Sequence, residues 1–93
     1  MDLKFITSEN EIYLLDEDGN KVAYVSFHEI QEGVLEVDHT VVSESLRGQG
    51  IAEKLMINLY EMLKQKNKKV VLTCSYAVHY FNKHEEKQDV LYK

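Results

Sequence analysis

The fold of this chain turns on one stretch, Val41-Val42-Ser43-Glu44-Ser45-Leu46-Arg47-Gly48-Gln49-Gly50-Ile51-Ala52. Before it, apolar and polar residues alternate, which is the period of a strand. After it, apolar residues recur every three or four positions, which is the period of a helix. Two glycines stand at the change. A helix N-terminus offers free N–H groups and a partial positive charge, and glycines let a ligand approach that backbone. This is the recipe for a phosphate or pyrophosphate site. The same glycines also suit a plain tight turn, and geometry alone leaves both readings open.

Working back from this stretch, Val34 to Ser43 reads as a fourth strand. Its Leu35, Val37, His39 and Val41 are expected on one face, with Glu36, Asp38 and Thr40 on the other. Residues 3–6, Glu11 to Asp16 and Lys21 to Ile30 supply three earlier strands. Asp18-Gly19 and Gln31-Glu32-Gly33 mark tight turns. Working forward, Ile51, Leu55, Leu59 and Met62-Leu63 place a helix from about Gln49 to Lys66. Val70-Val71-Leu72 is a fifth strand ending near Cys74. Ala77, Tyr80, Phe81 and His84 give a short helix over about 75–84, and Val90-Leu91-Tyr92 a last short strand. Strands joined by tight turns must be antiparallel. The fourth and fifth, joined through a helix, should be parallel with a right-handed crossover. The expected fold is α+β, a mixed sheet with helices packed on it.

The chain has 93 residues, enough for one core and one domain over 1–93. Its net charge of −5 argues against nucleic acid as a partner, since phosphate binding leans on Lys and Arg. The run Lys64-Gln65-Lys66-Asn67-Lys68-Lys69 is expected as a solvated helix end suited to the helix dipole. A single cysteine, Cys74, forbids an internal disulfide and favours a reducing, cytoplasmic setting. No apolar run approaches the roughly 18 residues of a membrane span. Met1 leads straight into Asp2-Leu3-Lys4, so no signal peptide is expected.

Two familiar phosphate motifs fail. Ile51-Ala52-Glu53 after Gly48-Gln49-Gly50 lacks the third small residue of the dinucleotide fingerprint, and no Walker loop exists. A third pattern fits. Arg47-x-x-Gly50-x-Ala52, between a Val-rich strand and an amphipathic helix, resembles the signature of the GNAT superfamily of acyl-CoA-dependent N-acetyltransferases. His39-Thr40 and Cys74-Ser75-Tyr76 resemble motifs of its small single-domain branch.

The resemblance implies a GNAT-like domain that transfers an acetyl group from acetyl-CoA to an amine on a small molecule or protein. It implies that Arg47, Gly48, Gln49, Gly50, Ile51 and Ala52 hold the pyrophosphate, mainly by main-chain atoms. The backbone of Val41, Val42 and Ser43 would meet the pantetheine arm and polarise the thioester. The fourth and fifth strands would splay to admit the cofactor, putting the thioester near His39 and Cys74. Two departures stand out. The second strand passes to the third through a short turn, so the acceptor-binding helices of larger members are missing. The acceptor site is then open, or completed by a partner or by a second subunit in a homodimer. Where many relatives carry a proton-donating Tyr, this chain has Phe81, and Cys74 takes the place of an Asn.

By residue type, His39 titrates in the range needed to accept a proton. Cys74 could take the acetyl group itself or donate to the leaving thiolate, or be a buried small hydrophobe. A His39 bonded to a carbonyl is the structural alternative. Glu36 and Asp38 are alternative bases or a solvated face. Lys54 is expected at the surface. His28, His79 and His84 read as surface or packing residues, Tyr76, Tyr80 and Phe81 as the packing face of the last helix, and no Cys/His spacing suggests a metal. An acyl-CoA-binding module with little catalysis is the competing function.

Overall fold

The structure is a computed structural model, described over residues 4–92. It contains strands β1 (Phe5–Thr7), β2 (Glu11–Leu15), β3 (Lys21–Gln31), β4 (Val34–Val42) and β5 (Lys69–Leu72), and helices α1 (Ile51–Lys66) and α2 (Ser75–Lys83). One sheet runs in the order β1-β2-β3-β4-β5. All pairs are antiparallel except β4 with β5, which is parallel. The expected architecture is therefore present, with one expected strand residue, Leu3, lying outside the described residues.

The helices form because their apolar residues make stripes that the sheet can cover. Ile51, Leu55, Met56, Leu59, Met62 and Leu63 of α1, and Ala77, Tyr80 and Phe81 of α2, are buried in one core. Ile12, Leu14, Val25, Phe27, Leu35 and Val37 face them from the sheet. Asn67 ends α1 in a left-handed conformation, φ 55°, and its N–H reaches back to the Leu63 and Lys64 carbonyls.

The tail differs from expectation. Glu85–Val90 is a 3-10 turn, and only Leu91 adds an isolated parallel bridge, to Val70. Tyr92 donates its N–H to the Val70 carbonyl at 2.9 Å. The basic run is tied to this tail and to β3. Lys64 pairs with Asp89, and Lys68 with Glu29 at 3.3 Å.

The fourth strand also departs from simple alternation. Ser26 pairs with His39, but Phe27 pairs with Val37, so Asp38 is an extra residue, a β-bulge. The bulge exchanges the faces of everything after it. Leu35 and Val37 lie in the core, Val37 opposite the buried Phe27. Beyond the bulge it is Thr40, opposite the buried Val25, and Val42, opposite the buried Ala23, that face inward. His39 and Val41 turn to the outer face with Ser26 and Tyr24. The expectation that His39 and Val41 share a face with Leu35 and Val37 is corrected accordingly.

Candidate functional site

The turn after β4 carries the geometry that the glycines suggest. Gly48 and Gly50 adopt φ of 84° and 74°, a region that side-chain-bearing residues rarely enter. Nothing lies within 4 Å of where a Cβ on either would stand, so the backbone is open to solvent and to a ligand. Gly50 caps α1 with no side-chain cap, and α1 begins at Ile51, two residues later than expected. The first helical bond runs from the Lys54 N–H to the Gly50 carbonyl at 3.1 Å. The N–H groups of Ile51, Ala52 and Glu53 therefore have no partner within the helix. Arg47, exposed beside them, forms no ion pair among the described residues.

Three grooves meet at Tyr76. The first, of about 260 Å³, runs along the turn past Arg47, Gly48, Gly50 and Ala52. The second, of about 460 Å³, follows β4 past Thr40, Val41 and Val42. The third, of about 310 Å³, lies between α1 and α2. Tyr76 is 37% exposed and lines all three, so it is a groove residue and not the packing residue its helical spacing suggests. Burial raises its phenol above the ordinary tyrosine range, and the Glu53 charge adds to the rise.

The second groove follows the edge where β4 and β5 part. Their register pairs end at Val37 with Leu72, and Thr73 adds a bond from its N–H to the Val37 carbonyl at 3.3 Å. Ser43 donates its N–H to the Val22 carbonyl of β3 at 2.8 Å. Alternation along an antiparallel strand then points the peptide groups of Val42 and Thr40 away from β3, toward the parting, and those of Val41 back to β3. Of the three backbones expected to face the parting, only Val42 does. Ser43 and Val41 are engaged with β3, and Thr40 takes their place.

Cys74 stands at the parting as the residue before α2, with Sγ 3.3 Å from Thr40 Oγ1. Burial pushes its thiol up. The Thr40 hydroxyl and the N–H groups of Ala77, Tyr76 and Thr40 outweigh that and leave it below the ordinary thiol range. Such a donor set favours the thiolate, the form in which cysteine reacts. His39 is exposed on the outer face, so the expected pairing of His39 with Cys74 is replaced by Thr40 with Cys74. Phe81, where a proton-donating tyrosine was sought, is fully buried. Tyr80 is 5% exposed, and its hydroxyl accepts from Lys87 at 2.9 Å.

One cluster was not visible in the sequence. His28 lies opposite Glu36 across the β3–β4 ladder. Its Nδ1 is 2.9 Å from Asp38 and its Nε2 3.3 Å from Glu36. The Asp38 hydrogen bond raises the imidazole above its ordinary value. Glu36 and Asp38 do face together, but as partners of His28. Nothing in a linear reading shows this, because the pairing depends on register.

This is the architecture of an acyltransferase fold, with an open glycine turn at the head of a helix and a groove down parted parallel strands. A family profile described as GCN5-related N-acetyl-transferase matches residues 11–90, and the chain belongs to that family. A GCN5-like protein from Staphylococcus aureus, solved by NMR, is similar at 32% identity and TM-score 0.79, covering 97% of this chain and 88% of that one. A GNAT family N-acetyltransferase from Escherichia coli, solved in complex with CoA, has 24% identity and TM-score 0.60 over 67% of this chain. An IAA acetyltransferase from Bacillus cereus has 18% identity and TM-score 0.61 over 78% of this chain. The chain spans 38% and 51% of the length of these last two, whose likeness is one of fold. No curated protein sequence matches the chain. No helix among the described residues is long and apolar enough to cross a membrane.

Proposed function

We propose that the chain is an acetyl-CoA-dependent N-acetyltransferase, a single domain over residues 1–93 that acts in the cytoplasm on an amine of a small molecule or protein. The observation that carries this is the continuity of the open turn at Gly48–Ala52 with the groove that leads down β4 to Cys74. The residues fit the cofactor. The unpartnered N–H groups at the head of α1 and the unpaired Arg47 suit its pyrophosphate, and bare glycine backbone leaves room for it. The Val42 and Thr40 peptide groups face the groove where the pantetheine arm would lie.

Acetyl-CoA supplies an acetyl group activated as a thioester. The chain's own work is to polarise that carbonyl, hold the amine close and move two protons. The Val42 N–H, which faces the groove, would polarise the carbonyl, while the Thr40 N–H serves the Cys74 sulfur. Cys74, held by Thr40, either attacks the thioester carbon, so that an acetyl–Sγ bond forms as the bond to the CoA sulfur breaks, or, as the thiol, gives its proton to the CoA thiolate that leaves when the amine attacks. The phenol in the groove is Tyr76, and it stands in for the missing tyrosine as the proton donor. His39, on the outer face of β4, is positioned to accept the proton of an amine approaching from that side.

No helix precedes β4 among the described residues, so the acceptor approaches over open sheet or against a second subunit. The buried Phe81 and that open face favour the competing reading, an acyl-CoA-binding module with little catalysis. Intact mass after mixing with acetyl-CoA, followed by an amine-acceptor assay on native and Cys74→Ala protein, separates them. An enzyme loses transfer in the variant. A binding module shows no transfer in either.

A further inference from the structure

The third groove carries charge that the reaction does not use. Tyr76, His79, Tyr80 and Lys83 lie at the i, i+3, i+4 and i+7 positions of α2 and form one wall of it. Lys83 and His79 are exposed, and neither has a hydrogen-bond or ion-pair partner among the described residues. Two other lysines are engaged elsewhere. Lys87 donates to the Tyr80 hydroxyl at 2.9 Å, and Lys64 pairs with Asp89. His84 is likewise engaged, with Nδ1 3.2 Å from Glu86 and its ring 4.2 Å from that of Tyr80. The acid of the groove, Glu53, sits at its junction with the turn, where its charge falls on Tyr76. It forms no ion pair with Lys83 or His79 among the described residues.

The anion-binding turn opens onto two further grooves, through Tyr76. The one along β4 leads to Cys74 and takes the thiol end of the cofactor. The other must then take the nucleotide end. CoA carries a second phosphate there, on the 3′ position of the ribose beside the pyrophosphate. Lys83 stands seven residues beyond Tyr76, about 10 Å along the helix. At the end of the groove away from Glu53, the uncommitted polar groups are a lysine and a histidine, which suit a phosphate monoester that accepts charge-assisted hydrogen bonds.

We infer that Lys83 and His79 bind the 3′-phosphate of CoA, so that the chain distinguishes CoA from 3′-dephospho-CoA. This rests on the proposed acetyl-CoA function. The test is calorimetric titration of the native chain, and of Lys83→Ala/His79→Ala and Lys83→Glu variants, with CoA and with 3′-dephospho-CoA at one salt concentration. Both positions are exposed, so the fold tolerates the changes, and thermal melts check this. The native chain is expected to bind CoA roughly tenfold more tightly than dephospho-CoA. The double variant should bind the two within about twofold of each other, with dephospho-CoA affinity unchanged. Lys83→Glu should reverse the preference. Equal binding by the native chain, or a preference that survives in the double variant, overturns the inference and leaves the CoA function standing. Failure of both nucleotides to bind the native chain overturns that function and the inference with it.

Discussion

Cys74 Sγ lies 3.3 Å from Thr40 Oγ1, across the parting of the parallel strands β4 and β5. The contact joins the residue before α2 to the residue that the Asp38 bulge turns inward. It makes the thiol's chemistry depend on a neighbour placed by a strand irregularity. Thr40→Val removes the hydroxyl while keeping the shape. The variant should shift the pH midpoint of Cys74 alkylation upward, because the thiolate loses a donor. An unchanged midpoint would show that the helix-end N–H groups alone set the thiol.

The two turn glycines make a second prediction. Alanine at Gly48 or Gly50 clashes with nothing but must adopt a left-handed backbone, at about 1–2 kcal/mol. Each variant should melt at lower temperature and bind CoA more weakly. If Gly50→Ala alters neither, the turn has no need of its conformation.

How much of this was legible beforehand differs by element. The strand order, both helices and the parallel β4–β5 pair follow from apolar periods of two and of three to four, because one face of each element is buried. The glycine turn was legible because Gly48 and Gly50 sit where the period changes. The faces of β4 were not. A bulge inserts one residue without any change in composition, so His39 was read inward and Thr40 outward. Tyr76 was misread because helical spacing cannot tell the last residue of a packing stripe from the first residue of a groove. His28 with Glu36 and Asp38 needs strand register, which no local pattern carries.

Phe81 tests the account of the missing acid. Its ring is fully buried, so Phe81→Tyr would bury a hydroxyl without restoring a donor to the groove. The variant should lose about 1–3 kcal/mol of stability, read by denaturant unfolding, with no gain in transfer rate. A gain in rate would place residue 81 in the site. Tyr76→Phe should instead lower kcat while leaving CoA affinity within about twofold.

His28 gives a pH dependence with a definite sign. Its folded pKa is raised, by the Asp38 hydrogen bond first, so the stability it contributes is present below the unfolded histidine value. That contribution is lost as pH rises through the folded value. His28→Asn should therefore lower Tm at pH 5.5 and leave it nearly unchanged at pH 8.5. Equal losses at both pH values would mean that His28 acts by packing alone.

The proposed seat of acetyl-CoA is the open turn at Gly48–Ala52 and the groove beside β4. The most direct measurement is calorimetric titration of the native chain with acetyl-CoA. Saturable binding at one site per chain is expected, with a dissociation constant between low micromolar and sub-millimolar. No heat of binding with the cofactor at millimolar concentration would contradict it.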